Sequence, residues 1–199
     1  MISNQPELTP EQAIEAIASR AAQLLQTQIR VLIAVDGQSA SGKSTCAEQL
    51  ARRLDARVLH MDDFFLQPCM RTPERLATPG GNVDIERFIR DVLPRVLAGA
   101  VVPLERYDCH LDELLPPVEV APRPVSIIEG AYSLHPLLKP YYDIKVFCKI
   151  APALQRARIL VRNGEEMLEL FESRWIPLEN RYFEAYSVEQ SCDYIVSVK

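Results

Sequence analysis

No apolar run in this sequence approaches the roughly 18 residues that a membrane-crossing helix needs. The opening MISNQPELTPEQ has neither a charged n-region nor an apolar h-region. These absences predict a soluble, cytoplasmic chain without a membrane partner. A basic excess is missing too, since the net charge is −5 and the pI is near 5.3. Proteins that hold nucleic acid by its phosphates carry a positive footprint, so small substrates are expected rather than DNA or RNA. Cysteine pairs spaced C-x-x-C are absent. The five cysteines, Cys46, Cys69, Cys109, Cys148 and Cys192, are odd in number and widely spaced, which predicts reduced thiols and no zinc site. There is no internal repeat, low-complexity tract or second-domain linker. With 199 residues, 48% of them hydrophobic, one domain with a full core is expected.

Apolar residues Ala13, Ile14, Ile17, Ala21, Leu24 and Leu25 recur at helical spacing and predict an amphipathic helix after Pro10. Residues 1–28 are thus read as a helical N-terminal segment packed on the domain formed by 29–199. Five runs rich in Val, Ile and Leu follow: IRVLIAV (29–35), RVLHM (57–61), VSIIEG (125–130), IKVFCKI (144–150) and DYIVSVK (193–199). They are continuous rather than alternating, with helical stretches between them. That pattern predicts a doubly wound α/β fold, a five-stranded parallel sheet covered on both faces. Residues 66–84, LQPCMRTPERLATPGGNVD, break the rhythm and predict a loop near the strand ends, where substrate sites form. Asp84 is placed to cap the next helix. VVPLERYD (101–108) and VEV (118–120) suggest a small β-hairpin.

The chemistry begins at VDGQSASGKST, residues 35–45, which fits G-x-x-x-x-G-K-[ST] between a strand and a helix. In such a loop, Gly37, Ser39, Ala40, Ser41, Gly42, Lys43, Ser44 and Thr45 wrap a nucleotide's phosphates with backbone N–H groups, and the helix N-terminus faces the same anion. Lys43 would reach the β and γ phosphates, and Ser44 would bind Mg²⁺ through its hydroxyl. No N-K-x-D tetrad for guanine and no LSGGQ-like signature is present, so the rest of the chain must choose among the users of such loops.

HMDDFF sets Asp62 and Asp63 at the carboxyl end of the second strand, the ligand side of a doubly wound sheet. A carboxylate there can take the proton of an attacking hydroxyl and hold the metal; helix capping is the competing role for the pair. IIEG places Glu129 at the tip of another strand, suited to orienting Mg²⁺, with a salt bridge at the sheet edge as its alternative. Arg156, Arg158 and Arg162 follow the fourth run. Arg158 and Arg162, four apart, share a helix face and could clamp a transferring phosphate. The competing partner for Arg162 is Glu166.

With GQSASGKST, then MDDFF about twenty residues on, then IIEGAYSLHPLL and an arginine-bearing segment, the chain resembles the uridine kinase family, which belongs with phosphoribulokinase and bacterial pantothenate kinase. The resemblance spans residues 30–198. It implies phosphorylation of a nucleoside 5′-hydroxyl by ATP or GTP with Mg²⁺, in dimers or tetramers. Asp62 matches the family's general base and metal-associated acid, Glu129 the acid of its E-G pair, and Phe65 takes the place of a tyrosine that shapes the nucleoside site. Tyr107-Asp108 looks like the Y-D of the hairpin that covers the base. In the family a base-contacting histidine lies five residues after that tyrosine; here position 112 is Asp, and His110 lies only three along. PGGNVD lacks the family's D-H-P-D segment, and the lid lacks R-G-R. In ESRWIPLENRYF, Trp175, Tyr182 and Phe183 are expected in the core, with Arg174 a candidate to reach the site.

The expected activity is therefore transfer of the ATP γ phosphate to a small-molecule hydroxyl, a pyrimidine nucleoside leading. Asp62, Lys43, Arg158 and Arg162 would carry catalysis, while Asp63, Phe65, Tyr107 and His110 would contact the acceptor. Arg71 and Arg75 keep a charged alcohol open, such as pantothenate, glycerate or a sugar phosphate. A regulatory nucleotide-binding module is the alternative of another class.

Overall fold

The structure is a computed structural model that describes residues 6–198; Lys199, the last residue of the predicted strand 193–199, lies outside the described residues. The strands are β1 Glu7–Leu8, β2 Val31–Gly37, β3 Arg57–His60, β4 Val102–Leu104, β5 Tyr107–Asp108, β6 Glu113–Leu114, β7 Val118–Val120, β8 Val125–Glu129, β9 Ile144–Ile150 and β10 Tyr194–Val198. The helices are α1 Pro10–Leu24, α2 Lys43–Leu54, α3 Pro73–Ala77, α4 Ile85–Arg87, α5 Leu93–Ala98, α6 Pro152–Asn163, α7 Glu165–Leu170 and α8 Ile176–Ala185.

Six strands form one parallel sheet in the order β1-β10-β9-β2-β8-β3. Five of them were expected. The sixth, β1, pairs Glu7 with Ile195 and Leu8 with Val196, and two residues are too few to show a period or an apolar run.

The continuous apolar character of β2 has a direct cause. Val31, Ile33 and Val35 pack on one face with Ala13, Ile17 and Ala21 of α1 and Ala47 and Leu50 of α2. Leu32 and Ala34 pack on the other face with Phe88, Val92 and Tyr182. Both faces are covered, so neither tolerates a polar alternate. Helix α1 starts at a reciprocal cap: the Gln12 amide donates to Thr9 Oγ1 and the Thr9 amide to Gln12 Oε1. It ends at Leu24, short of the predicted 28, where the Leu24 carbonyl accepts the amides of Thr27 and Gln28 in a turn. Among the described residues, no helix is long and apolar enough to cross a membrane.

Two helices are interrupted, and the second interruption lies at the cavity wall. Leu93 N–H reaches back to the Phe88 carbonyl, and Ile176 N–H to that of Phe171, each across one residue more than an α-turn spans. A proline follows each time, Pro94 and Pro177. Lacking an N–H and crowding the carbonyl four residues back, proline widens the turn before it. The predicted hairpin is present as two antiparallel pairs, β4 with β7 and β5 with β6. Asp84 accepts the Arg87 amide at 3.0 Å, as its capping role predicts.

The long loop of residues 66–84 contains the single-turn α3 and is held by Arg75. Its guanidinium forks onto Glu86 at 2.6 and 2.7 Å and donates to the carbonyls of Gly81 and Val83. Arg75 is thus a structural staple rather than a cation for the acceptor.

Gly37 ends β2 with φ of +141°, and a Cβ added there would lie 2.1 Å from the Cys148 carbonyl oxygen on β9. Gly37→Ala must part these two central strands, with an expected loss of more than about 3 kcal/mol of stability measured by urea unfolding.

Candidate active site

A cavity of about 800 Å³ opens at the carboxyl ends of β2, β3 and β8, where doubly wound sheets bind ligands. Its floor is the turn leaving β2. Ala40 has φ of +60° and Gly42 of +91°, a left-handed curl that turns successive N–H groups inward. Helix α2 begins at Lys43 with no side chain capping its first turn, so its free N–H groups and positive dipole end are left for an anion. Lys43 Nζ rests on the Gln38 carbonyl at 2.8 Å. Ser39, Ala40, Gly42, Lys43, Ser44 and Thr45 all line the cavity. Gly37 and Ser41 shape the loop from beneath, and Ser41 Oγ is buried without a partner.

The acids expected at strand ends lie across from this loop. Asp62 and Glu129 line the cavity, and Ser44 Oγ is 3.3 Å from both Glu129 carboxylate oxygens. A hydroxyl meeting a carboxylate, with Asp62 in the same cavity, is a hard oxygen set that fits Mg²⁺, which takes one or two carboxylates and completes its shell with phosphate and water. Among the described residues no group of three or more His, Cys, Asp or Glu could hold a metal ion. Asp62 is reached by solvent through the cavity mouth, yet protein encloses most of its surroundings. That burial, and secondarily the Glu129 charge, push its pKa up, while Lys43 pulls it down.

The sequence reading missed His60, whose Nδ1 lies 2.5 Å from Glu129 Oε1. The two residues are register partners on β3 and β8, and the hydrogen bond raises the His60 pKa. No local pattern marks it, because the contact depends on the register of β3 against β8.

Arg158 and Arg162 share a face of α6 and both line the cavity; Arg158 Nη1 donates to the Ala40 carbonyl at 3.1 Å. Arg162 bonds Asn163 Oδ1 rather than Glu166, and Arg156 turns away to Glu172. Arg174 and Trp175, on the widened turn before α8, face the cavity as well. Trp175 was expected in the core; instead its ring lies 6.5 Å from that of Phe65, with the Arg174 guanidinium 4.8 Å above it. Tyr182 and Phe183 do pack in the core.

Of the four expected acceptor contacts, Phe65 alone lines the cavity. The Tyr107 hydroxyl is tied to Asp112 Oδ1 at 2.5 Å and receives Arg71 Nη2 at 2.7 Å, so Arg71 faces the cavity where Tyr107 was expected. His110 lies outside it, at an exposed turn whose amides at His110 and Leu111 donate to Asp108 Oδ1. Asp112, with φ of +53°, completes that tight turn. Asp63 also lies outside; its Oδ2 is buried without a partner. Asn82 enters the wall unforeseen, 8% exposed, with its Nδ2 unpartnered.

The fold is that of the P-loop kinases. No family-wide sequence profile matches the chain. It is 31% identical over 151 residues to the uridine kinase of Chloroflexus aurantiacus, covering 72% of each chain. To a protein of Pyrobaculum aerophilum named "Probable thymidylate kinase" it is 30% identical over 149 residues, 69% of this chain and 73% of that one. A solved structure described as a possible uridine kinase from Bacillus stearothermophilus shares the fold, with a TM-score of 0.66 over 92% of this chain and 96% of that one at 22% identity. The chain belongs to the uridine kinase-like family of P-loop kinases.

Asp36, fully buried at the end of β2, accepts the amides of Gly37 and Leu134 and the Tyr182 hydroxyl. Burial nevertheless pushes its pKa from 3.8 up to about 6. Between those values the unfolded chain gives up this proton while the folded one keeps it. The contribution of Asp36 to stability should therefore fall as pH rises through that window, by about 3 kcal/mol, and level off above it. Asp36→Asn is expected to remove this component, which urea unfolding at pH 4 and pH 7 in both proteins measures.

Proposed function

We propose that the protein transfers the γ phosphate of ATP or GTP to a hydroxyl of a small molecule, with a pyrimidine nucleoside as the leading acceptor. One observation carries the reading: Lys43, the Ser44–Glu129 pair and Asp62 converge on a single cavity built over an anion-ready loop. In this role Lys43 draws charge from the β and γ phosphates. Ser44 and Glu129, with Asp62, would hold Mg²⁺, which when bound neutralises phosphate charge. Asp62 accepts the proton of the acceptor hydroxyl. Arg158 and Arg162, unpaired with any carboxylate among the described residues, supply positive charge where it accumulates during transfer.

The nucleoside acceptor is supported by the relatives named as uridine kinases. A second reading, an alcohol bearing its own negative charge, is favoured by Arg71 and Arg174 in the cavity wall and by the absence of Tyr107 and His110 from it.

Asp62→Asn should lower kcat by roughly 10²- to 10⁴-fold, a larger loss than the change in Mg-nucleotide affinity that follows from giving up one metal-facing carboxylate, because the acceptor step loses its base. Coupled ADP release, followed with the best acceptor from a panel of nucleosides, pantothenate, glycerate and sugar phosphates, measures it; an unchanged kcat removes Asp62 from the role. Lys43→Ala should instead impair binding and transfer together, read by titration with Mg-ATP and by the same assay.

A further inference from the structure

Ser39 and Ala40 are gripped by three side chains, all from the segment after β9. Glu179, on α8, accepts the Ser39 amide at 2.9 Å and the Ser39 hydroxyl at 2.5 Å, one on each carboxylate oxygen. Gln155 Nε2 donates to the Ser39 carbonyl at 3.0 Å, and Arg158 to that of Ala40. The grip falls where the loop is least stable alone, because the left-handed Ala40 costs about 1–2 kcal/mol for a residue with a Cβ. Glu179 is 6% exposed and forms no ion pair among the described residues. A buried carboxylate is expensive unless it is hydrogen-bonded or faces a charge, so the nearby Lys43 ammonium and its two bonds to Ser39 hold it there.

We propose that Glu179 is a positioning residue for the donor nucleotide, holding the phosphate loop at Ser39 in its phosphate-receiving shape and tying that shape to α8. The tie reaches the cavity wall directly. Arg174 and Trp175 immediately precede α8, and Tyr182, one turn beyond Glu179, donates to Asp36 Oδ2 at 2.9 Å. Helix α8 is therefore pinned to the chain on both sides of Gly37. A change in the loop is carried through Glu179 to two residues that face the bound ligands. This rests on the reading of residues 37–45 as a donor site and does not depend on which acceptor is used.

The test needs no acceptor. Wild type, Glu179→Gln and Glu179→Ala are titrated calorimetrically with Mg²⁺ and a non-hydrolysable ATP analogue, well below each melting temperature, while emission from Trp175, the single tryptophan, is followed. Glu179→Ala should weaken binding about tenfold or more. Glu179→Gln, which keeps one acceptor oxygen for Ser39, should weaken it by about threefold to tenfold. Trp175 emission should respond to nucleotide in wild type and lose that response in Glu179→Ala. If the alanine variant fails to fold, the glutamine variant decides. Wild-type affinity in the folded variants overturns the proposal, because a merely structural contact would lower the melting temperature and leave binding unchanged below it. Tighter binding in Glu179→Gln also overturns it, since Glu179 would then compete with the phosphates. A silent Trp175 in wild type removes the tie to α8. If wild type binds no nucleotide, the kinase reading itself falls and takes the proposal with it.

Discussion

A single buried carboxylate ties the working parts of this molecule together. Asp36 accepts hydrogen bonds from Gly37 at the start of the phosphate loop, from Leu134 in the segment after β8, and from Tyr182 on α8. An isolated carboxylate in such a place would be prohibitive. Three donors, one of them a phenol held among Tyr132, Phe183 and Tyr186, offset most of that cost, and what remains shows as a raised pKa. The geometric result is that the phosphate loop, the acid Glu129 and the helix bearing Glu179 are all referenced to one point. Sites of this kind work only when their parts are held to within a fraction of an ångström.

The close approach of Gly37 to Cys148 completes this arrangement. It lets β2 pair with β9 up to its last residue, so the chain leaves the sheet at a fixed position and curls at once. The side chains of α6 and α8 then support the curl from outside. The loop's shape is thus set twice, by its own glycines and by polar contacts more than a hundred residues away in sequence.

That division explains what could be read from the sequence. The β2–loop–α2 unit is local, and its requirements are stated in consecutive residues, so VDGQSASGKST is legible without any tertiary knowledge. Asp62 and Glu129 are legible because strand ends announce themselves. His60, Glu179 and Asn82 are not, since each acts through a partner distant in the chain, and no period or spacing marks such a contact. Glu179 and Tyr182 do sit three apart on α8, so a shared inward face was readable in principle, but its target was not. The hairpin erred differently. Its existence followed from two β-rich runs, whereas the fate of Tyr107 and His110 was decided by the turn at Asp108–Asp112, where an aspartate captures the amides and another captures the phenol. Side-chain capture of that kind is common for aspartate in turns, and it swings a neighbour out of a site without altering the strand pattern.

The same capture changes the chemistry that the acceptor end presents. Once Tyr107 is bound to Asp112, its hydroxyl receives Arg71, and the guanidinium takes the place in the wall that an aromatic ring would have had. On the opposite side, Pro177 widens the turn before α8 and brings Arg174 and Trp175 into the wall together. Phe65 and Trp175 give the wall an aromatic face, and Asn82, Arg71 and Arg174 give it polar and positive groups, Arg71 being paired with Asp112. The phosphate loop and its acids can be common to many phosphoryl acceptors. Under the proposed transfer reaction, discrimination among acceptors falls to wall residues of this kind, which differ from the groups that bind and activate a nucleotide.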